Sequence, residues 1–183
     1  VRVWYPLPTT RESPWVFWPG ARSTVEGGCD VTGRFYVIEG LDGAGTTTQA
    51  ALLAEHLEAT LTHEPTDRGI GRVIRRILQA EPGAPDKTAL PWLFAADRAD
   101  HWHNEIAPLL DAGVDVISDR YLYSSLAYQG LEVPELWVSA LNERFPTPDL
   151  ILFIRVTPEV AAARRAARAQ ERPGLGGRQG AGE

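Results

Sequence analysis

The fold is decided by residues 35–49, which read Phe35-Tyr36-Val37-Ile38-Glu39-Gly40-Leu41-Asp42-Gly43-Ala44-Gly45-Thr46-Thr47-Thr48-Gln49. The stretch begins as an apolar run typical of a buried parallel strand, passes through a glycine-rich turn and ends in hydroxyl residues. Apolar residues then recur at helical spacing on one stripe: Ala50, Leu53, Ala54 and Leu57. Gly40 and Gly45 have the spacing of G-x-x-x-x-G-K-[ST], a loop whose backbone N–H groups surround phosphate oxygens. The stretch therefore predicts strand, phosphate loop and helix in the order that this motif requires.

The chain departs from this motif at one position. Thr46 stands where the motif has its lysine, and Lys87 is the only lysine of the chain. Backbone N–H groups do not depend on that lysine, so we still expect phosphate binding at residues 40–48; an ordinary tight turn is the alternative for a bare glycine match. Losing a preorganised charge between the β- and γ-phosphates costs on the order of a few kcal/mol in the transition state. An arginine or a metal ion must supply that charge.

Composition limits the class of protein. The chain has 183 residues, of which 44% are hydrophobic, and this suits one domain with a substantial core. The formal net charge of −6 argues against a general nucleic-acid binder, which needs a basic face. Cys29 is the single cysteine, which excludes an internal disulfide, and no apolar run is long enough to span a membrane. We expect a cytoplasmic protein with small partners and no contact with nucleic acid or membrane.

The two ends differ in composition from the rest of the chain. Residues 1–33 contain several prolines and tryptophans without periodicity, which predicts an extended or disordered leader. Residues 173–183 form a glycine-rich stretch that predicts a flexible tail. The domain itself is therefore expected at residues 34–172.

Further strands are predicted at residues 59–63, 114–118 and 149–156, with helical patterns between them. The third strand of the chain delivers Asp119 and Arg120 at its carboxyl end, where ligands bind in open α/β sheets. A helix from Gly69 is expected to bury one apolar face that includes Leu78. This alternation predicts an α/β fold, a three-layer P-loop NTPase arrangement with a mostly parallel central sheet.

A long helix is predicted from about residue 86 or 88 to Leu110, with a bend or break at Pro108. Phe94 and Arg98 are spaced i, i+4 within it, so an aromatic face and a guanidinium point the same way. His101 and His103 cannot share a helical face, and both are interpreted as surface residues.

Taken together, these segments resemble the thymidylate kinase family. The resemblance covers roughly residues 34–172 and rests on four blocks: Ile38–Gln49; Glu64-Pro65 with the arginine-rich helix behind it; Leu93-Phe94-Ala95-Ala96-Asp97-Arg98; and Ser118-Asp119-Arg120-Tyr121 with Ser124-Ser125-Leu126-Ala127-Tyr128-Gln129-Gly130. It implies transfer of the γ-phosphoryl group of ATP to dTMP, with Mg²⁺ as cofactor and a homodimer as the assembly.

The resemblance also implies a set of site residues. Phe94 would stack on the thymine and Arg98 would hydrogen-bond its edge, while Arg75 and Arg120 would hold the dTMP phosphate. Asp42 would lie near the sugar hydroxyl or the metal, Thr47 would bind Mg²⁺, and Thr48 a phosphate. The base and sugar would be lined by Ser125, Tyr128 and Gln129. The ATP phosphates would lie on Gly40, Leu41, Asp42, Gly43, Ala44, Gly45, Thr46, Thr47 and Thr48.

In family members whose loop lacks an arginine, a mobile basic lid supplies the charge. The resemblance places Arg164, Arg165, Arg168 and Arg172 at the beginning of that lid, and we count Asp42, Asp119, Arg120, Arg164 and Arg168 as the catalytic candidates. Arg155 stands where the family strand usually has an acid, a substitution that nothing in the sequence explains. Because the chain becomes glycine-rich after the lid, we expect a fold without the family's C-terminal strand and closing helix.

We therefore predict a thymidylate kinase that makes dTDP. One alternative is another kinase of nucleotides or nucleosides, which would differ in the acceptor pocket around Phe94, Arg98 and Gln129. A second alternative is a nucleotide-binding homologue with weak catalysis, which Thr46 favours.

Overall fold

The structure is a computed structural model that describes residues 32–171. The predicted leader, apart from its last two residues, the predicted tail and Arg172 lie outside the described residues. Four strands form one sheet: β1 (Phe35–Gly40), β2 (Thr60–His63), β3 (Val116–Asp119) and β4 (Leu150–Ile154). Their order is β2-β3-β1-β4, and every pairing is parallel. The predicted fold class is therefore confirmed.

The helices are α1 (Thr46–Leu57), α2 (Gly69–Leu78), α3 (Leu90–His101), α4 (Ala107–Asp111), α5 (Leu122–Gln129), α6 (Glu135–Asn142) and α7 (Pro158–Glu171). They cover both faces of the sheet, which gives the three layers. On one face, Ile38 and Ile117 pack against Ala50 and Ala54 of α1. On the other face, Phe35, Val37 and Val116 pack against Trp102, Ile106, Leu110 and Tyr121. Burial of this apolar surface is the main stabilising contribution to the domain.

The long helix predicted up to Leu110 is interrupted. A single widened turn of π-helix at Trp102–Ile106 lies between α3 and α4. Pro108 follows two residues after this turn; a proline has no N–H to donate, and its ring collides with the carbonyl four residues earlier. A widened turn relieves that collision without ending the helix, so the interruption lies before the proline.

Two predictions about burial were wrong, those for His101 and Leu78. His101 is fully buried instead of exposed, because the sheet edge at Thr62 supplies a hydrogen-bond partner for its ring. Leu78 is 57% exposed, because α2 ends there, after packing Ile74 and Ile77 into the core. β4 is an edge strand in the described part of the chain, with Phe153 66% exposed. Among residues 32–171, no helix is long and apolar enough to cross a membrane.

Candidate active site

The loop between β1 and α1 has the backbone form that a phosphate-binding loop needs. Gly43 and Gly45 have φ angles of 91° and 102°, which residues with side chains rarely adopt. A methyl group at Gly43 would lie 2.4 Å from the carbonyl oxygen of Ala161, so α7 also requires glycine there. The first backbone N–H groups of α1 have no partner within the helix and point toward the loop. Residues 40–48 therefore have the backbone conformation that an anion-binding turn requires.

Thr46 is the residue at the lysine position. Its side chain is 6% exposed, and its methyl group lies 3.0 Å from the place where a Cβ on Gly40 would be. The side chain therefore packs beneath the loop and carries no charge toward it. Thr47 and Thr48, one and two residues later, are exposed in the first turn of α1.

Thr47 and Asp119 are joined by a hydrogen bond. The Thr47 hydroxyl donates to Oδ2 of Asp119 over 2.5 Å, which ties α1 to the carboxyl end of β3. Oδ1 of Asp119 is buried and has no hydrogen-bond partner among the described residues. A hydroxyl beside a carboxylate oxygen is a donor set that suits Mg²⁺, which is commonly held by one or two protein oxygens together with phosphates. Asp42, the other predicted metal residue, is turned toward Arg120 instead.

Arg120 lies where the loop, β3 and α5 meet. Its Nη2 atom is 2.5 Å from Oδ1 of Asp42, and its Nη1 atom donates to the carbonyl of Gly40 and to Oγ of Ser124. The guanidinium carbon lies 5.6 Å from the ring centroid of Tyr128, within cation–π range. Asp42 also accepts, at its backbone, a 2.7 Å bond from Arg165 of α7. Arg120 is thus held from three sides.

Glu39 is a buried carboxylate directly before the loop. Its Oε1 atom accepts the backbone N–H groups of Tyr121 and Ser124, and its Oε2 atom accepts the Ser124 hydroxyl at 2.6 Å. Burial raises the pKa of Glu39 above its ordinary value, and the hydrogen bonds from Ser124 and Tyr121 partly oppose that increase. This residue fixes the start of α5 against the end of β1.

The predicted base-binding residues surround one cavity of about 230 Å³. It is lined by Asp42, Glu64, Pro65, Leu78, Phe94, Arg98, Arg120, Tyr121, Ser124, Ser125, Tyr128 and Gln129. Most of the wall surface is apolar, although seven of the twelve lining residues are polar or charged, and such a combination suits a small polar ligand with an apolar face. Oε1 of Gln129 is buried without a hydrogen-bond partner in the part of the chain that the structure describes. Six of the seven predicted substrate residues therefore meet in one place.

Arg98 is held by its own network inside this cavity. Its Nε and Nη2 atoms contact Oε2 of Glu64 at 2.9 and 2.7 Å, and Nη2 donates to Oγ of Ser125 at 3.0 Å. Nη1 donates to Oδ1 of Asn142 on α6. The other oxygen of Glu64 contacts the buried ring of His101 at 3.2 Å. Most of the N–H groups of Arg98 are therefore engaged within the protein, and its orientation is fixed.

Arg75, the seventh predicted substrate residue, lies in an adjoining cavity of about 310 Å³. That cavity is also lined by Thr47, Leu61, Thr62, His63, Glu64, Pro65, Asp119 and Arg120. Arg75 donates to the carbonyls of Pro65 and Thr66 and pairs with Asp67 at 2.8 Å. Arg120 belongs to both cavities, so it joins the base pocket to the Thr47–Asp119 side.

The candidate lid arginines approach the loop from α7. Arg164 donates to the carbonyl of Ala44 at 2.9 Å, and it lines a different cavity, between α1 and β4. Arg168 follows one helical turn later and is exposed. The structure therefore brings Arg164 and Arg165 to the phosphate loop, whereas Arg168 remains on the outer part of α7.

Sequence reasoning missed four residues of this site: Glu39, Glu64, Ser124 and Asn142. Glu64 and Asn142 contact the predicted residue Arg98 across 34 and 44 positions of the chain. Glu39 contacts Ser124 across 85 positions, and Ser124 contacts the predicted residue Arg120 four positions away. Glu39 and Glu64 do carry a signal, since an acid inside or at the end of an apolar strand is costly unless it is paired. Asn142 has no such signal, because it is one polar residue in an ordinary helix.

Comparisons with known proteins agree with this geometry. The sequence model of the family described as thymidylate kinase matches residues 38–174. A probable thymidylate kinase of Pyrococcus horikoshii is 46% identical over 133 residues, which are 67% of this chain and 64% of that protein. A probable thymidylate kinase of Pyrococcus abyssi is 44% identical over 150 residues, which are 74% of this chain and 71% of that protein.

Among solved structures, thymidylate kinase from Ehrlichia chaffeensis superposes with a TM-score of 0.62 at 29% identity, covering 78% of this chain and 89% of that chain. The chain spans slightly less than two thirds of the length of the Pyrococcus horikoshii relative. The family match covers well over half of this chain, and the predicted motif residues fall inside it. The chain therefore belongs to the thymidylate kinase family.

Proposed function

We propose that the protein transfers the γ-phosphoryl group of ATP to dTMP, which yields dTDP and ADP. One observation carries the proposal: Arg120 lines both the aromatic cavity of Phe94 and the adjoining cavity of Thr47 and Asp119. A base held in the first cavity would direct its phosphate toward the second, which opens next to the phosphate loop. Phosphoryl transfer requires mainly this alignment together with charge neutralisation.

Each group has a role that follows from its chemistry. The half-buried ring of Phe94 offers a flat apolar face to a pyrimidine, and Ser125 and Gln129 offer polar groups to the edge of the base. Arg75 and Arg120 are guanidinium forks suited to the acceptor phosphate. The backbone N–H groups of residues 43–48 bind the ATP phosphates. Developing charge is neutralised by Arg120, the loop N–H groups and Arg164.

Mg²⁺ is part of the proposal. Thr47 and Asp119 would hold it, and the ion would neutralise charge on the transferred phosphoryl group. Asp42 would remain paired with the Arg120 guanidinium and would orient this guanidinium toward the acceptor phosphate. The work of this chain is to bind, to align and to exclude water. We further propose a homodimer, on the basis of the family resemblance alone, and a cytoplasmic location, on the basis of the composition of the sequence.

The test is competitive turnover. The full chain is incubated with ATP, Mg²⁺ and an equimolar mixture of dTMP, dUMP, AMP and thymidine, and each product is quantified. Preferred formation of dTDP supports the proposal, because it would mean that the cavity at Phe94 and Gln129 selects thymine and a nucleoside 5′-phosphate. A preference for any other acceptor contradicts it and favours the alternative of another small-molecule kinase.

The weak-catalysis alternative rests on Thr46 and needs its own measurement. Calorimetry gives the Kd values of ATP and dTMP while ADP release is followed in parallel. Tight binding of both ligands without turnover establishes a nucleotide-binding homologue. Turnover of dTMP with the ordinary dependence on Mg²⁺ removes this alternative.

A further inference from the structure

The backbone of Arg120 has an unusual conformation that other residues must maintain. Its φ angle is 76°, in the left-handed region that a residue with a side chain seldom occupies. Such conformations persist only where the surrounding structure determines them, and they concentrate at functional sites. The next residue, Tyr121, and then Ser124 donate their backbone N–H groups to Oε1 of Glu39 at 3.0 and 3.1 Å. Glu39 therefore anchors the backbone that follows Arg120.

The side chain of Arg120 is connected to the same carboxylate through Ser124. The Ser124 hydroxyl has one hydrogen, which it donates to Oε2 of Glu39 at 2.6 Å. Its lone pairs are then free to accept, and Nη1 of Arg120 lies 2.9 Å away. The same Nη1 atom donates to the carbonyl of Gly40 at 3.1 Å. The guanidinium is thus oriented by a buried acid acting through a hydroxyl.

We propose that Glu39 and Ser124 are positioning residues for phosphoryl transfer, which hold the Arg120 guanidinium at the junction of the two cavities. The inference rests on the proposed function, since it assigns a task to Arg120. Glu39 is 4% exposed, and the Ser124 hydroxyl, which also lines the base cavity, is engaged with Glu39 and Arg120, so the proposed contribution of both residues passes through Arg120. Neither residue belongs to the loop motif or to the lid.

The first test compares three variants: Ser124→Ala, Ser124→Thr and the control Ser139→Ala on α6, where the serine is exposed. Ser124→Ala should lower kcat about tenfold with the KM for ATP unchanged, less than the roughly 10²-fold of a 1 Å misplacement, because Arg120 keeps its bonds to Gly40 and Asp42. Ser124→Thr retains the hydroxyl and should restore most of the activity. Ser139→Ala should resemble the starting protein. A merely structural role would instead lower Tm and change both KM values.

The second test is a double-mutant cycle with Arg120→Lys. If Ser124 acts through Arg120, Ser124→Ala should have little further effect once Arg120 is replaced. Equal losses in both backgrounds overturn the proposal. Glu39→Gln, which keeps the acceptor for the two backbone N–H groups, should give a smaller loss than Ser124→Ala and the same lack of additivity.

A third measurement separates failure of this inference from failure of the proposed function. The Nε–Hε NMR signal of Arg120, assigned by its disappearance in Arg120→Lys, is recorded without substrates. Ser124→Ala should shift this signal and speed its exchange with water, and Ser139→Ala should leave it unchanged. If Ser124→Ala leaves the Arg120 signal unchanged, the proposal that Ser124 positions Arg120 is wrong, whether or not the protein turns over dTMP. A shifted signal without dTMP turnover supports positioning and contradicts only the proposed function.

Discussion

Nη1 of Arg164 lies 2.9 Å from the carbonyl oxygen of Ala44, so a guanidinium from α7 rests on the phosphate loop two residues before Thr46. The same atom is 3.8 Å from the place where a Cβ on Gly45 would be. Arg165 adds a second contact, at the carbonyl of Asp42. A loop that lacks its lysine therefore has two arginines of α7 at its backbone, in addition to Arg120 at the carbonyl of Gly40, and Arg164 is the one we test as the replacement charge.

Restoring the lysine is the most direct test of this view. Thr46→Lys should raise kcat at saturating ATP and dTMP by at least about tenfold, because it returns a preorganised cation to the developing charge. Steady-state kinetics with coupled ADP detection measures the change. Thr88→Lys, which adds the same charge at an exposed position, is the control and should leave kcat unchanged. A Thr46→Lys protein that is no faster would show that the missing lysine does not limit the reaction.

Arg164→Ala should lower kcat and raise the KM for ATP, and the loss should depend on residue 46. In the Thr46 protein we expect a loss of about 10²-fold, comparable with the removal of one preorganised donor. In the Thr46→Lys background the loss should be several-fold smaller, since the lysine then carries part of the task. The four proteins of this double-mutant cycle are compared by their kcat/KM for ATP. Equal losses in the two backgrounds would contradict the replacement of the lysine by Arg164.

The sequence was sufficient for the order of elements and for the loop, because both depend on local periodicity and on glycine spacing. β1 and α1 lie on either side of the loop in the predicted order, and the predicted glycine-rich turn contains Gly43 and Gly45 with positive φ angles. The burial of His101 could not be predicted, since it depends on Thr62 and Glu64, residues 39 and 37 positions away. The π-helical turn was also not predicted, because Pro108 indicates a distortion of the helix without fixing its position.

In the candidate site, too, some residues could be predicted from local sequence, and others depend on contacts between distant segments. Phe94, Ser125 and Gln129 were recognisable from motifs and do meet in one cavity. Arg98, which was also recognisable, is oriented by residues from other segments. Glu64 contacts it from 34 positions away in the chain, and Asn142 from 44 positions away. Contacts of this kind are fixed only by tertiary packing, which no local pattern encodes.

Glu64→Ala should destabilise the protein strongly. The Glu64 and Arg98 side chains are 2% and 1% exposed, and removal of one partner leaves a buried charge without compensation. Breaking such a pair costs about 3–5 kcal/mol. Urea denaturation followed by circular dichroism measures the free energy of unfolding. The control is Glu132→Ala, which breaks the exposed Lys87–Glu132 pair and should change this free energy by less than about 1 kcal/mol. Similar effects of the two variants would argue against a buried network around Arg98.

Glu39 should make the stability of the protein depend on pH in a definite direction. Burial raises its pKa in the folded protein above the ordinary value of 4.5, with Ser124, Tyr121 and Arg120 partly opposing the increase. Between these two pKa values the folded state binds more protons at Glu39 than the unfolded state does. By linkage, the contribution of Glu39 to the free energy of unfolding therefore falls as pH rises through this window, by about 1.4 kcal/mol for each pH unit between the two pKa values. Below pH 4.5 the contribution is complete, and above the folded pKa it is lost.

Glu39→Gln isolates this contribution, because the other carboxylates titrate in both proteins and cancel in the difference. The free energy of unfolding of the starting protein minus that of Glu39→Gln should decrease as pH rises from 4.5 and become constant above the folded pKa. Urea titrations at several pH values between 4 and 8, roughly spanning the range in which a buried glutamate titrates, measure it. A difference that increases with pH would mean that the hydrogen bonds from Ser124 and Tyr121 outweigh burial, so that Glu39 prefers to be charged in the folded state.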